Sequence, residues 1–215
     1  HPFSQKAIGD FAHPCAITLG YVPRVRLYKG LESHEFDERK SLILHYCFLN
    51  PPDKTIVHAP PRHREMIERI YRLLDLNVDF VEEVPPDDQT DGKVNVLYNR
   101  SNGTGTITVE KIGQDSKAEI RRALADLRDI ACAEAIYLLL PLAQAGTQEL
   151  CEDAEELGFF FSGVEPCLAP DGDYLRLQCL NTTINFDHIQ LYKPFSRELL
   201  AYILREKERT GTQVA

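Results

Sequence analysis

No stretch of this 215-residue chain stays apolar long enough to cross a bilayer. The most continuous run, 135–142, falls far short of the roughly 20 residues that a spanning helix needs. A signal-peptide pattern and a lipidation motif are both missing. So are a CxxC pair, a Gly-x-Ser-x-Gly elbow and a Walker loop, which leaves no local signature of nucleophile-elbow hydrolysis or P-loop phosphate binding. Positive charge is scarce: 24 Lys and Arg stand against 33 Asp and Glu, a formal charge of −9. That balance argues against non-specific nucleic-acid binding while leaving room for a local basic patch. The chain begins at His1 without an initiator methionine, and the expectation is a piece excised from a longer protein. Together these absences lead to the expectation of a soluble, cytoplasmic protein with no membrane and no nucleic-acid partner.

What is present is ordinary for a globular chain: 43% hydrophobic and 27% charged residues, neither disordered nor fibrous. The length suits one large or two small units and buries enough surface to fold without disulfides or metal. Six cysteines, Cys15, Cys47, Cys132, Cys151, Cys167 and Cys179, are widely spaced. Without a secretory signal they are expected to be reduced and mostly buried.

Patterning then gives the elements. Residues 16–22 alternate weakly and predict a strand, which 24–28 continue past Pro23, and 32–40 are loop-like. Residues 42–49 predict a strand stopped by Asn50-Pro51-Pro52-Asp53, and 55–59 a short buried one. Pro60-Pro61 prepares a helix start, and Ile67, Ile70, Tyr71 and Leu74 make 62–74 amphipathic. A strand over 78–84 and an acidic loop over 85–92 follow. In the second half, 94–98 and 106–112 are strands flanking the turn pair Asn102-Gly103. Ser116-Lys117-Ala118-Glu119 is a capping box for a helix carrying Ile120, Leu124, Leu127 and Ile130. A strand at 135–142, a helix at 147–157 ended by Gly158, and strands at 159–164 and 174–180 come next. A further strand is expected over 184–192 and a last helix over 194–207. Strand, helix, strand, Pro, Asp-Gly, strand occurs twice, from 56 and from 136, at an offset near 80 residues. It is a candidate internal repeat.

From strand 94–98 onward this order resembles the GNAT (acetyl-coenzyme A-dependent N-acetyltransferase) fold, whose C-terminal half is a helix–strand–helix–strand–strand run. Glu156-Leu157-Gly158-Phe159 looks like the family's common ending to its last helix. The first half resembles the later GNAT elements in degraded form. The expected fold is therefore α/β, a mixed-sheet GNAT-like architecture of one unit or of two degenerate tandem units. These are an N-terminal unit over 1–100 and a C-terminal unit with a terminal helix over 101–215. The pair resembles the GNAT-like regions attached to anti-sigma-type ATP-binding kinases in bacterial regulators.

The resemblance implies acetyl-CoA as cofactor, its pyrophosphate held by backbone N–H groups at a helix N-terminus through Arg/Gln-x-x-Gly-x-Gly/Ala. Arg100-Ser101-Asn102-Gly103-Thr104-Gly105 matches that pattern literally. The β-branched run Thr106-Ile107-Thr108-Val109 follows where a helix should begin, so the segment is either a hairpin turn or a phosphate-contacting loop. Ahead of the 116–131 helix stands Ile112-Gly113-Gln114-Asp115, with one glycine and a carboxylate that repels phosphate. Arg100, Gly103, Gly105, Gly113 and Gln114 are the candidate cofactor contacts. Glu110 matches the glutamate that such families often use as a base, and Glu165 is a second catalytic candidate. The usual acid is a tyrosine near the last helix, where Phe159-Phe160-Phe161 offer no hydroxyl.

Other constellations are weaker. His45, His58 and His63 lack a carboxylate or cysteine at diagnostic spacing, so no metal site is expected. His13-Pro14-Cys15 reads as a strand-edge thiol. Arg62, Arg64, Arg69 and Arg72 on one helix, and Glu149, Glu152, Asp153, Glu155 and Glu156 on the other, are solvated faces or faces that meet each other or a partner. Two functions remain. One is a degenerate GNAT-like module with a regulatory ligand- or partner-binding role in a larger bacterial protein, its partner a second protein or a linked regulatory domain upstream of His1. The alternative is an acyl-CoA-dependent N-acyltransferase acting on an amine. A splayed strand pair beside the 116–131 helix, opening a slot for a pantetheine arm, favours the enzyme, and a closed sheet there with the opening filled by Leu or Phe favours the binding module.

Overall fold

Strand-forming runs from both halves of the chain join one sheet. The computed structural model describes residues 5–7, 11–26, 34–35, 38–82 and 91–213. The strands are β1 (His13–Val22), β2 (Val25–Arg26), β3 (His34–Glu35), β4 (Lys40–Tyr46), β5 (Thr55–Val57), β6 (Val78–Phe80), β7 (Lys93–Asn99), β8 (Thr104–Lys111), β9 (Ala135–Pro141), β10 (Phe160–Ala169) and β11 (Gly172–Leu180). Among the described residues four α-helices of ten residues or more accompany them: α1 (Arg64–Leu73), α2 (Ser116–Ala125), α3 (Thr147–Glu156) and α4 (Pro194–Gln213); a π turn over Asp126–Ile130 follows α2. A seven-stranded sheet runs in the order β4-β1-β10-β11-β9-β8-β7, while β2-β3 and β5-β6 form two small sheets. Within the large sheet β8 and β9 are parallel and the other pairs antiparallel. This is a mixed α/β fold, and the expected helix–strand–helix–strand–strand run is present as α2-β9-α3-β10-β11. The expected boundary at residue 100 falls in the β7–β8 turn, and the sheet continues across it.

Strand alternation sorts the two faces. Ile107, Leu138, Leu177 and Phe161 share one cross-strand row and are fully or almost fully buried. They pack with Ile67, Ile70, Ile120, Leu124, Leu150, Leu199 and Ile203 of the four helices into a single apolar core. The next row, Thr106, Tyr137, Gln178 and Phe160, lies on the opposite face. Strand β1 covers part of that face. It meets β10 in register only at Ala16↔Gly163, then crosses the sheet, where side chains replace the ladder. Ser162 Oγ donates to Ile17 O at 2.8 Å, Tyr137 Oη donates to Leu19 O at 3.0 Å, and Leu19 N donates to Gln178 Oε1 at 2.9 Å. The crossing requires Gly163, whose φ is +141° and where a Cβ would fall 2.2 Å from the Cys15 carbonyl oxygen.

Several expectations change in detail. Ser116 lies one residue inside α2, with Asp115 at the cap position, and no capping box forms because Glu119 pairs with Arg122 instead. Gly158, at φ +93°, ends α3 with Phe159 N donating to Ala154 O, as its position predicts. Residues 184–192 form no strand. Asn185 Oδ1 accepts from Asp187 N and starts a 3-10 turn at Phe186–His188, a local bond that competes with extension. The six cysteines are free thiols, but only Cys15 and Cys151 are buried. Of the two strand–helix–strand repeats, β5 and β6 pair directly in parallel, whereas β11 inserts between β9 and β10. The third strand of the first copy, β7, pairs with β8 instead. The charged faces of α1 and α3 do not lie face to face. Arg62 and Arg69 pair with Glu206 and Glu198 of α4, and Asp153 pairs with Lys117 of α2. The expectations for residues 27–33, 36–37 and 83–90 lie outside the described residues.

Candidate functional site

The parallel strands β8 and β9 separate. They pair from Thr104↔Ala135 to Thr108↔Leu139 and no further, although both continue as strands. The gap is bridged by one side chain. Gln144, on the loop between β9 and α3, accepts from Ile112 N through Oε1 at 2.9 Å and donates from Nε2 to Glu110 O at 2.9 Å. Its Nε2 also donates to Asp171 Oδ2 at 2.7 Å. The amide thus presents to the open edge of β8 the same donor and acceptor that a peptide group would. The loop itself is pinned by Thr147, whose hydroxyl lies 2.7 Å from Pro141 O and 2.8 Å from Gln144 O.

Around this bridge lie the ends of three strands. The Glu110 side chain is about 30% exposed; it pairs with Lys93 and accepts from Asn95. Tyr174 on β11 is 4% exposed. Burial raises its phenol pKa, and the charges of Glu110, Asp171 and Glu165 push it in the same direction. Glu165 is itself buried and ion-paired with Arg176, whose guanidinium lies 4.4 Å from the centre of the Tyr137 ring. Glu165 stands opposite Tyr174 on the neighbouring strand, and the charges of both Glu110 and Glu165 reach that tyrosine. Tyr174 and Gln144 carry no sequence motif, and Asp171 is legible only as part of the Asp171-Gly172 turn pair. Only strand alternation and the β10–β11 turn place them here.

The start of α2 is engaged by the chain itself. Gly113 N donates to Ser116 Oγ at 2.9 Å, Gly92 N donates to Asp115 Oδ1 at 2.6 Å, and Gln114 Nε2 donates to Asp91 Oδ1 at 3.4 Å. Gly92 sits so close that a Cβ there would fall 2.4 Å from Ser116 Oγ. Two carboxylates, Asp91 and Asp115, thus stand where a helix N-terminus would otherwise favour an anion. The segment carrying Arg100, Gly103 and Gly105 lies elsewhere. Residues 100–103 form the β7–β8 turn, Gly103 has φ +61°, and Arg39 donates to Asn102 O at 2.5 Å. Gly105 is already in β8, under the side chain of Leu127. The turn and the start of α2 are at opposite ends of an eight-residue strand, roughly 23 Å apart at strand rise. Glu110, Gly113 and Gln114 share the open end; Arg100, Gly103 and Gly105 do not.

Among the described residues, donor atoms of His63, Cys151 and Glu155 lie within 4.8 Å of one another, all three buried. Neither His45 nor His58 belongs to such a group. His63 Nδ1 is 2.7 Å from Tyr202 Oη and Nε2 is 2.8 Å from Glu155 Oε1.

No family model matches the chain and no curated protein sequence matches it. Among solved structures it is similar to a spermidine N-acetyltransferase of Vibrio cholerae in complex with CoA and spermine, at 20% identity and a TM-score of 0.33, over 44% of this chain and 62% of that one. A chimaera of the Vibrio cholerae and human enzymes gives 20% identity and a TM-score of 0.33 over 44% and 63%. The chain thus spans less than two thirds of the acetyltransferases it matches.

Proposed function

We propose that this chain is a GNAT-like module whose cofactor slot is filled from within, serving a regulatory ligand- or partner-binding role in a larger bacterial protein. The observation that carries this reading is the Gln144 amide bonded to both Glu110 O and Ile112 N. A pantetheine arm entering between β8 and β9 would need those same two groups. The carboxylates of Asp91 and Asp115 at the start of α2 support the reading, because they oppose a pyrophosphate there.

The test is calorimetric titration with millimolar acetyl-CoA of the wild type and of Gln144→Ala. The reading expects no saturable heat from either protein, since the carboxylates persist when the amide is gone. Saturable binding to the wild type overturns it. Binding by Gln144→Ala alone would make the glutamine a removable plug in a working cofactor site, and would also overturn it.

A second reading, an acyl-CoA-dependent N-acyltransferase acting on an amine, is favoured by the splay of β8 from β9 beside α2, with Glu110 and Tyr174 on the strands at its open end. In that reading Gln144 swings aside and the amine nitrogen attacks the thioester carbonyl as its proton passes to Glu110. The C–S bond would then break, Tyr174 would protonate the departing thiolate, and the proton held by Glu110 would pass through solvent to restore the phenol. Burial of Tyr174 keeps the phenol protonated, as an acid requires. Glu165, neutralised by Arg176, would set the field around Tyr174 rather than accept the proton. Of the cofactor candidates, Gly113 and Gln114 lie at the slot end, where a nucleotide would meet α2.

A further inference from the structure

Three helices meet at a buried polar knot that the slot does not use. His63, just ahead of α1, is fully buried; Cys151 and Glu155, one turn apart on α3, are 1% and 6% exposed. Tyr202 and Arg209 of α4 close the knot.

The hydrogen bonds of the knot allow two tautomers of His63. The Tyr202 hydroxyl lies 2.7 Å from His63 Nδ1 and donates to Arg62 O at 3.2 Å. A phenol has one proton. With that proton on Arg62 O, Tyr202 accepts from Nδ1–H and Nε2 turns its lone pair toward Glu155 Oε1, 2.8 Å away; with the phenol proton on Nδ1 instead, Nε2–H donates to Glu155. The first arrangement turns an imidazole lone pair and a carboxylate oxygen, which also accepts from Arg209, toward one point, where a proton or a metal cation satisfies both. The Cys151 thiol beside them, a soft ligand with no part in a histidine–carboxylate ion pair, favours the metal.

We propose that His63 Nε2, Cys151 Sγ and the Glu155 carboxylate form a binding site for a divalent transition ion of the Zn2+ class. Zinc bonds of roughly 2.0–2.3 Å place tetrahedral donors on the order of 3.5 Å apart, so the present cluster, within 4.8 Å, needs only to tighten. Both oxygens of Glu155 would complete four donors. Tyr202, holding Nδ1–H, is the orienting partner that metal-bound histidines usually have.

Arg209 donates to Glu155 Oε1, the same oxygen that faces His63 Nε2, so an ion bound there takes that oxygen from it. Arg209 also pairs with Glu206 at 2.8 Å and so keeps a carboxylate when the metal takes Glu155. Binding releases the Cys151 proton, and the thiolate and carboxylate neutralise the two charges of the ion. A site this enclosed has no position for substrate. It would be structural, tying the start of α1 to α3 and, through Tyr202, to α4.

The probe is Co2+ added to the metal-stripped, folded chain bearing Ser at Cys47, Cys132 and Cys167, the exposed thiols. Expected are one equivalent bound, a sulfur-to-cobalt charge-transfer band in the near ultraviolet, and visible bands of four-coordinate cobalt. Zn2+ should displace the cobalt and raise the thermal midpoint, whereas Mg2+ should not. Cys151→Ser should remove the charge-transfer band and His63→Gln should weaken binding at least tenfold, with circular dichroism confirming that each variant is folded. Absence of the charge-transfer band from the folded chain with Cys151 intact overturns the site, and so does its survival in Cys151→Ser. The first of these measurements needs no variant at the site, so the proposal stays testable if both substitutions unfold the chain.

Discussion

Gln144→Ala separates a filled slot from an open one by stability alone. The substitution removes the bonds at 2.9 Å to Ile112 N and 2.9 Å to Glu110 O, together with the 2.7 Å bond to Asp171. Ile112 is 8% exposed, so its N–H loses its partner in a place water reaches poorly. One orphaned buried donor costs about 1–3 kcal/mol, and the more exposed Glu110 carbonyl adds less, for a total near 2 kcal/mol. At about 2.1 cal/mol/K per residue, the 215-residue chain has an unfolding entropy near 0.45 kcal/mol/K. The midpoint should therefore fall by roughly 4 °C, read by circular dichroism at pH 7. Gln144→Glu should fall further, because its carboxylate faces the Glu110 carbonyl and Asp171. Both raise the new carboxyl's folded pKa, so its stability is present below the unfolded value, about 4.3, and is lost as pH rises through the folded one. The two variants should accordingly converge in acid. A midpoint for Gln144→Ala within a degree of wild type would refute the bridge.

Other consequences follow from separate parts of the molecule. Arg39, whose side chain is 1% exposed, donates to Gly20 O at 2.6 Å, Asn102 O at 2.5 Å and Glu134 at 2.9 Å. Arg39→Ala should cost about 3 kcal/mol in denaturant unfolding, whereas Glu134→Gln, at a half-exposed partner, should cost less than about 1 kcal/mol. Burial by itself would raise the Glu206 pKa, but Arg62 and Arg209 outweigh it and hold the carboxyl below the usual glutamate range. Its stabilisation is thus present above the unfolded pKa and lost as pH falls through the folded one. Glu206→Gln should shrink the acid-side loss of stability on a pH series of melting curves. With Ellman's reagent on the native chain, Cys47 and Cys132 should react quickly. Cys167 should lag, since burial and then Asp173 raise its pKa, and Cys15 and Cys151 should react only on unfolding.

Much of the second half was legible because its signals are local. Asn102-Gly103 marked the β7–β8 turn, Gly158 the end of α3, and helical spacing of Ile120 and Leu124 the buried face of α2, which Leu127 continues; Ile130, expected on the same face, is 78% exposed because the helix widens into a π turn over Asp126–Ile130. What escaped depends on tertiary partners. Strand β1 runs across the sheet because Ser162, Gln178 and Tyr137 hydrogen-bond its backbone from distant strands. The insertion of β11 between β9 and β10 leaves no trace in either strand's alternation. At the site, Glu110 stood at the strand end where the resemblance put it. Gln144 was invisible because a glutamine in a loop looks like any solvated residue until the two strands beside it part. The literal Arg-x-x-Gly-x-Gly match misled for the converse reason: the β-branched run behind it forms β8 and keeps the glycines away from a helix start.

The most direct test of the filled slot is the Gln144 side-chain amide itself, followed by nitrogen-15 NMR together with the Ile112 backbone N–H. The account predicts slow hydrogen exchange at both groups, and resonances that do not move when acetyl-CoA is added to millimolar concentration. Rapid exchange at both, with saturable shifts on adding the cofactor, would show an open slot and contradict it.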